Sequence, residues 1–307
     1  MTEFQALVGA RPSAQVPLAS VVVPTYNRSS LLARCLKSLE AQTLVRMAYE
    51  VIVVDDGSED GTPELCSMFR QHTTMNLIYE RRQRRGGPAA ARNAGIARGS
   101  GNIVAFIDDD CEAASDWLEQ LLVPFRDPSV VGVEGKVIRH PASTPFTHFV
   151  ENLRGGLFLT ANIAYRRELL DSVGGFDERY PHAAAEDWDL AFRILERSGI
   201  VPFRGEAVVV HAPVPIQGRY FLNRIKERRS AVILYRRFPQ RWKHTTGRSM
   251  NRSFFEGIFM GPVVEMRKWD SYFSSHRFEI PRFLFWQVLA SGRLLVEYVR
   301  LRSAGLA

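Results

Sequence analysis

From residue 20 the chain repeats one pattern: an apolar run stops in polar residues, and a stretch with apolar positions three or four apart follows. "SVVVPTYN" opens with β-branched residues and stops at Pro24. "RSSLLARCLKSLEAQ" then sets Leu31, Leu32, Cys35, Leu36 and Leu39 at helical spacing behind Ser29 or Ser30 as N-cap. The unit recurs. "YEVIVVDDGS" is a continuous apolar strand running into acids, and "GTPELCSMFRQ" is a helix with Thr62 as cap and Pro63 in its first turn. "NLIYE" predicts a third strand, "PAAARNAGIARGSG" a helix stopped by glycines, "NIVAFIDDD" a fourth strand and "SDWLEQLLVPF" another helix.

Strands alternating with helices predict an α/β fold with a mainly parallel, helix-covered sheet. Farther on, "VVGVEGKVI" and "GGLFLTANIAYRR" are expected to be strands and "RRELLDSVGGF" a short helix. "EDWDLAFRILERSG" is expected to be a longer helix ending at Gly199, and "AVVVHAPVP" a closing strand. In such folds function lies at the carboxyl ends of the strands. "PTYN", "DDGS" and "DDD" all stand there, so three polar clusters should meet on one rim.

Each cluster has a chemistry and a plainer reading. Asp108, Asp109 and Asp110 repel one another, and a hard divalent ion such as Mg²⁺ or Mn²⁺ would relieve this while holding phosphate oxygens opposite; they could equally cap a helix and solvate a loop. Asp55 and Asp56 could accept from ribose hydroxyls or a base N–H, or simply form an Asp-Gly turn. Thr25 and Tyr26 could offer a ring for base stacking, or pack. Glu186 and Asp187 suit a helix N-terminus by charge alone, yet a carboxylate beside a sugar hydroxyl can take its proton.

Charge divides unevenly. Residues 216–307 hold 18 Lys and Arg against 6 Asp and Glu, a net +12, while residues 1–215 carry −5. A basic tail on an acidic body points to an anionic membrane surface or nucleic acid, or to a solvated basic face. The aliphatic and aromatic residues interleaved in "RYFLNRIKERRSAVILYRRFPQRWK" favour lipid or packing on the body over nucleic acid, which is not expected as a partner. The arginines of "ERRQRRGG" could reach a diphosphate or an anionic acceptor, but read first as a solvated run. Cys35, Cys66 and Cys111 lack metal-ligand spacing and suit reduced thiols. Residues 1–17 lack a basic region followed by a long apolar core and read as a lead-in, not a secretory signal. "FLFWQVLASGRLLVEYV" is interrupted by Gln287, Arg293 and Glu297, so no spanning helix is expected. A cytoplasmic location follows, with peripheral attachment at the inner face of the plasma membrane.

In order and spacing, "SVVVPTYNRSSLLARCLKSLEAQ", "VIVVDDGSEDGT", "GGPAAARNAGI", "VAFIDDDC", "TANIAYRRELLDSVGGFDE", "EDWDLAFRI" and "VVVHAP" resemble a family 2 glycosyltransferase of the GT-A fold. The resemblance covers residues 18–215, which it implies are the catalytic domain, with 216–307 a basic helical extension. It implies that Pro24, Thr25, Tyr26, Asp56, Arg92, Asp108 and Asp109 bind the nucleotide-sugar, a UDP-sugar. It implies that Asp108, Asp110 and His211 hold Mg²⁺ or Mn²⁺, that Asp187 is the catalytic base of an inverting transfer, and that Glu186 and Trp188 face the acceptor, a glycan or glycolipid of cell-surface synthesis. Two rivals remain. A nucleotidyltransferase would place a glycine-rich, basic triphosphate loop where "PTYNRSS" stands, and a catalytically silent binding protein would have no use for Asp110, Asp187 and His211 together.

Overall fold

The computed structural model describes residues 16–180, 184–197, 199–216, 229–247 and 266–303. Nearly all of the lead-in, and residues 217–228 of the basic tail, lie outside them. β1 (Ala19–Thr25), β2 (Tyr49–Asp55), β3 (Leu77–Arg81) and β4 (Ile103–Phe106) lie in the order 3-2-1-4 and are all parallel. Every residue of β2 is buried, as helices on both faces require of a central strand. α1 (Ser29–Glu40) turns Leu32, Cys35, Leu36 and Leu39 onto one face of this sheet, while α3 (Gly87–Arg98) covers the other with Ala91, Gly95 and Ile96. A Cβ at Gly95 would stand 2.4 Å from a Val22 methyl, so the close approach of α3 to β1 depends on glycine.

The sheet continues past β4 with changed polarity. β5 (Cys111–Ala113), β6 (Gly132–Arg139), β8 (Ile163–Arg166) and β9 (Phe203–His211) complete an eight-stranded order 3-2-1-4-8-6-9-5, in which β8 runs antiparallel to β4 and β6, and β9 parallel to β6. α2 (Thr62–His72), α4 (Trp117–Leu122), α5 (Arg167–Val173) and α6 (Glu186–Leu195) connect these strands. β7 (Thr147–His148) and β10 (Val214–Pro215) form a separate two-stranded ribbon.

Two local expectations need correction. Neither Ser29 nor Ser30 caps α1, and Thr62 does not cap α2. One carboxylate in the loop just before α2 serves both helices: Asp60 accepts from the Ser29 N–H at 3.0 Å and from the Thr62 N–H at 3.1 Å. "GGLFLTANIAYRR" is not one strand. Its first half wraps around Glu134, which accepts from the N–H groups of Gly156, Leu157 and Phe158 at 2.7, 3.0 and 2.6 Å. Gly155, Gly156 and Phe158 take positive φ to do so, and only Ile163–Arg166 remains extended.

The tail meets the body in its first described helices. α7 (229–237) and α8 (Pro239–Thr246) place Val232, Leu234, Phe238 and Trp242 in the same apolar cluster as Phe192 of α6. Arg237 bonds Asp189 at 2.7 Å and Asp177 at 3.2 Å. α9 (Asp270–Ser275) and α10 (Ile280–Ser303) follow; Phe273 and Phe283 pack with Trp269 beside Phe146 and Phe149. No described helix is long and apolar enough to cross a membrane.

Candidate active site

The carboxyl ends of β1, β2 and β4 open onto one cleft of about 880 Å³. Pro24, Thr25 and Tyr26 leave β1 there, and Asp56 leaves β2. Asp108, Asp109 and Asp110 fill the turn between β4 and β5. α3 sends in Arg92, the start of α6 brings Glu186, Asp187 and Trp188, and the end of β9 brings His211. Every residue that the family resemblance implied for the site lines this one cavity, whereas Asp55 does not.

β-sheet register explains the closest pairing. Cys111 of β5 stands opposite His211 of β9, and the Ala212 N–H bonds the Asp110 carbonyl at 2.8 Å, so Asp110 and His211 are held side by side. The His211 Nδ1 donates to the Ala212 carbonyl at 2.8 Å, which turns Nε2 toward Asp110 Oδ1, 3.4 Å away. A carboxylate oxygen and an imidazole nitrogen held this close converge on one point, and with the nitrogen unprotonated they are a donor set that Mn²⁺ and Mg²⁺ accept. The Cys111 sulfur lies in the same group, within 4.8 Å of both, while Asp108 turns to Arg92.

The acid block is balanced by two cations, Arg92, which the resemblance named, and Arg28, which the sequence did not single out. Arg28, immediately before α1, bonds Asp109 at 3.0 Å and Asp110 at 2.8 Å. Burial drives the Asp109 carboxyl up to about 7 against the pull of Arg28, and Thr25 donates to it at 2.7 Å. Burial likewise raises Asp110, with His211 opposing. Arg92, almost wholly buried, forks between Asp108 and Glu186, each at 2.9 Å.

"ERRQRRGG" is solvated as expected at Arg81, Arg84 and Arg85, yet the run also has partners. Arg82 bonds Asp56 at 2.6 Å, Arg81 donates to the Ser58 carbonyl, and the Arg85 guanidinium lies 4.0 Å over the Tyr26 ring. The signal was available in part: a basic run that follows a strand ending beside two acids has partners within reach. Asp56 also accepts from the Gly86 and Gly87 N–H groups, at 3.0 and 2.7 Å, so it anchors the N-terminus of α3. Asp55, by contrast, faces inward and accepts from Ser58 N–H and Tyr79 hydroxyl, both at 2.7 Å.

Glu186 and then Asp187 open α6 directly after Ala185, a non-glycine residue at φ 69°. That left-handed residue, rare outside glycine and costing on the order of 1 kcal/mol or more, turns the chain so that successive acids enter the cleft wall. Burial and the adjacent Glu186 charge push the Asp187 carboxyl well above its ordinary range, with the Trp188 N–H bond at 2.8 Å and Arg92 opposing. Beside it Trp188 meets Phe158, Phe192 and Trp242 with ring centroids 6.4, 5.8 and 5.9 Å away. Leu234 and Trp242 from the tail therefore form part of the cleft wall.

Residues 20–177 match the family profile described as Glycosyl transferase family 2. The glycosyltransferase AglE of Haloferax volcanii is 33% identical over 173 residues, covering 52% of this chain and 56% of that protein. The pre-mycofactocin glycosyltransferase of Mycobacterium tuberculosis is 31% identical over 210 residues, covering 62% of this chain and 42% of that one. The matches thus span about half the length of these curated relatives. Among solved structures, the mannosyltransferase PcManGT of Pyrobaculum calidifontis, in complex with GDP-Man and Mn²⁺, superposes over 95% of this chain and 88% of its own, with a TM-score of 0.62 at 21% identity. S. aureus TarS 1-349 in complex with UDP-GlcNAc superposes over 70% of this chain and 65% of its own, with a TM-score of 0.56 at 21% identity. The fold is that of the GT-A class.

Proposed function

The chain belongs to glycosyltransferase family 2, and on that premise we propose that its cleft moves a sugar from a nucleotide-diphosphate donor to an acceptor hydroxyl with inversion at the anomeric carbon. One observation carries this reading: Asp108–Asp110, His211 and Asp187, far apart in sequence, line a single cleft at the ends of the strands.

Residues 18–215 act as the catalytic unit, and 216–307 as an extension whose Leu234 and Trp242 complete its wall. The base and ribose lie at Pro24, Thr25, Tyr26 and Asp56, with Asp108 and Asp109 toward the diphosphate. A base stacking on the Tyr26 face now covered by Arg85 would displace that guanidinium. We take UDP as the nucleotide; the TarS complex holds UDP-GlcNAc, and the PcManGT complex GDP-Man.

Asp110 and His211, with Asp108 beside them, would hold Mg²⁺ or Mn²⁺, whose charge when bound neutralises the leaving diphosphate. Arg28, Arg85 and Arg92, all in the cleft wall, add fixed positive charge for the same anion. Asp187 accepts the proton of the acceptor hydroxyl as its oxygen bonds the anomeric carbon. The bond from that carbon to the diphosphate oxygen breaks with its electron pair on the departing nucleotide. One basic carboxylate suffices, because no covalent sugar intermediate forms. Glu186, held by Arg92, and Trp188, with its aromatic neighbours, shape the acceptor side. A ring face of a glycan or glycolipid fits such a wall, in keeping with cell-surface synthesis at the cytoplasmic face of a membrane.

Proton NMR of the first product from an α-linked nucleotide sugar tests the stereochemistry. A β-linked product is expected, and an α-linked one would contradict single displacement by an Asp187-activated hydroxyl.

A further inference from the structure

α10 carries two apolar faces on opposite sides. Phe283, Gln287, Ala290, Leu294, Glu297 and Leu301 recur at steps of three and four residues and are buried. Phe283 packs under Phe146 and Phe273, Leu301 joins the Val232 and Phe238 cluster, and Glu297 pairs with Arg229 at 2.7 Å. These contacts fix which way the helix faces. Turned half a revolution away are Phe285, Val288, Leu289, Leu295, Val296 and Val299, with exposures of 60, 64, 40, 43, 70 and 57%. With Gly292 they form one stripe, because 285, 288, 289, 292, 295, 296 and 299 follow the same three-and-four spacing.

A row of cations borders the stripe. Arg282, Arg293 and Arg300 lie on one flank, at steps of eleven and seven residues, and all three are exposed, although the Arg282 guanidinium also lies 4.7 Å over the Phe146 ring of the body. The only acid in α10, Glu297, is on the buried face and already paired. Six large apolar side chains on one helix face, opposite the face that holds the helix to the protein, exceed the scattered apolar exposure usual for a monomer.

We propose that this outer face of α10 lies in the interface of an anionic lipid bilayer, the stripe entering the acyl boundary and the Arg282–Arg293–Arg300 row meeting headgroup phosphates. The helix lies along the surface, since Arg293 sits at its middle. Charge decides against a second copy of the chain: an antiparallel symmetric pairing of two such faces would set the arginine rows against each other with no acid to answer them. This deepens the membrane placement proposed above and moves it. The contact does not lie in the 229–247 segment, whose Val232, Leu234, Phe238 and Trp242 are committed to the body.

Sedimentation with large vesicles tests it, using phosphatidylcholine alone and phosphatidylcholine with phosphatidylglycerol. The wild-type chain should sediment with the anionic vesicles at low salt, less so as salt rises. Val288→Glu/Val296→Glu should abolish binding. Arg293→Gln/Arg300→Gln, which alters two exposed residues, should weaken partitioning roughly 20-fold, since each basic group near an anionic surface contributes a factor of about five. Circular dichroism melts of both variants should match wild type, because every substituted residue is exposed. Wild-type protein left in the supernatant with both vesicle types would overturn the proposal, as would undiminished binding of Val288→Glu/Val296→Glu. Lipid-free sedimentation velocity showing a dimer that this double substitution dissociates would assign the stripe to a second copy instead. None of these readings depends on turnover, so failure here leaves the transferase reading standing.

Discussion

The Arg92 guanidinium stands 2.9 Å from Glu186, and 94 residues of chain separate the two. Its other arm reaches Asp108 at the same distance, so one buried cation joins the acid block after β4 to the acidic start of α6. On the proposed reading, a single side chain thereby ties the donor side of the cleft to the acceptor side.

Removing that cation should be costly. Arg92→Met would leave Glu186 buried beside Asp187 without a counter-charge, and breaking a buried pair from one side typically costs about 3–5 kcal/mol. Adding Glu186→Gln should restore part of the loss. Urea denaturation of the two variants measures it. Equal midpoints for Arg92→Met and wild type would show that the link carries no stability.

Asp187→Asn keeps shape and can still accept from the Trp188 N–H, but it cannot accept the acceptor's proton at neutral pH. Turnover should fall by roughly 10²-fold or more while calorimetric binding of donor persists. The pH dependence of the native enzyme should carry the same residue's mark. Only the ionised carboxylate is a base, and burial with the Glu186 charge raises its pKa. The acid limb of kcat should therefore lie well above the ordinary carboxylate range, activity rising with pH through it. A limb near pH 4 would place the base elsewhere.

Trp242 should matter to both stability and acceptor use. It is buried against Trp188 at 5.9 Å and lines the cleft. Trp242→Ala should cost about 3–5 kcal/mol in urea denaturation. In the surviving folded enzyme it should raise acceptor KM more than donor KM. An effect on donor alone would put the tail on the nucleotide side.

The strand and helix alternation was legible because β1, β2 and α1 obey short-range rules: buried central strands read as unbroken apolar runs, and α1 shows one face at helical spacing. The rim could be read as well, because polar clusters that end such strands must share an edge. What was not legible depended on distant partners. Asp60 caps two helices from outside both, and Glu134 draws residues 156–158 out of the extended state. Arg28 looks like a helix-start residue until Asp109 and Asp110, more than 80 positions away, come into contact. The basic run at 81–85 gave its charge without its direction, since only the fold brings Asp56 under Arg82 and Tyr26 under Arg85. In the tail, composition could not say which apolar residues belong to the body, because α7, α8 and α10 all interleave basic with apolar residues.

The central claim is that this cleft activates a nucleotide sugar through Asp110 and His211. The most direct measurement is release of nucleotide diphosphate from a panel of UDP- and GDP-sugars by the purified chain with Mn²⁺ or Mg²⁺, alongside Asp110→Ala and an EDTA-treated sample. Slow release from one donor is predicted, lost with Asp110→Ala and with EDTA and restored by added metal. Release that is undiminished in EDTA and in Asp110→Ala, or no release from any donor, would contradict it.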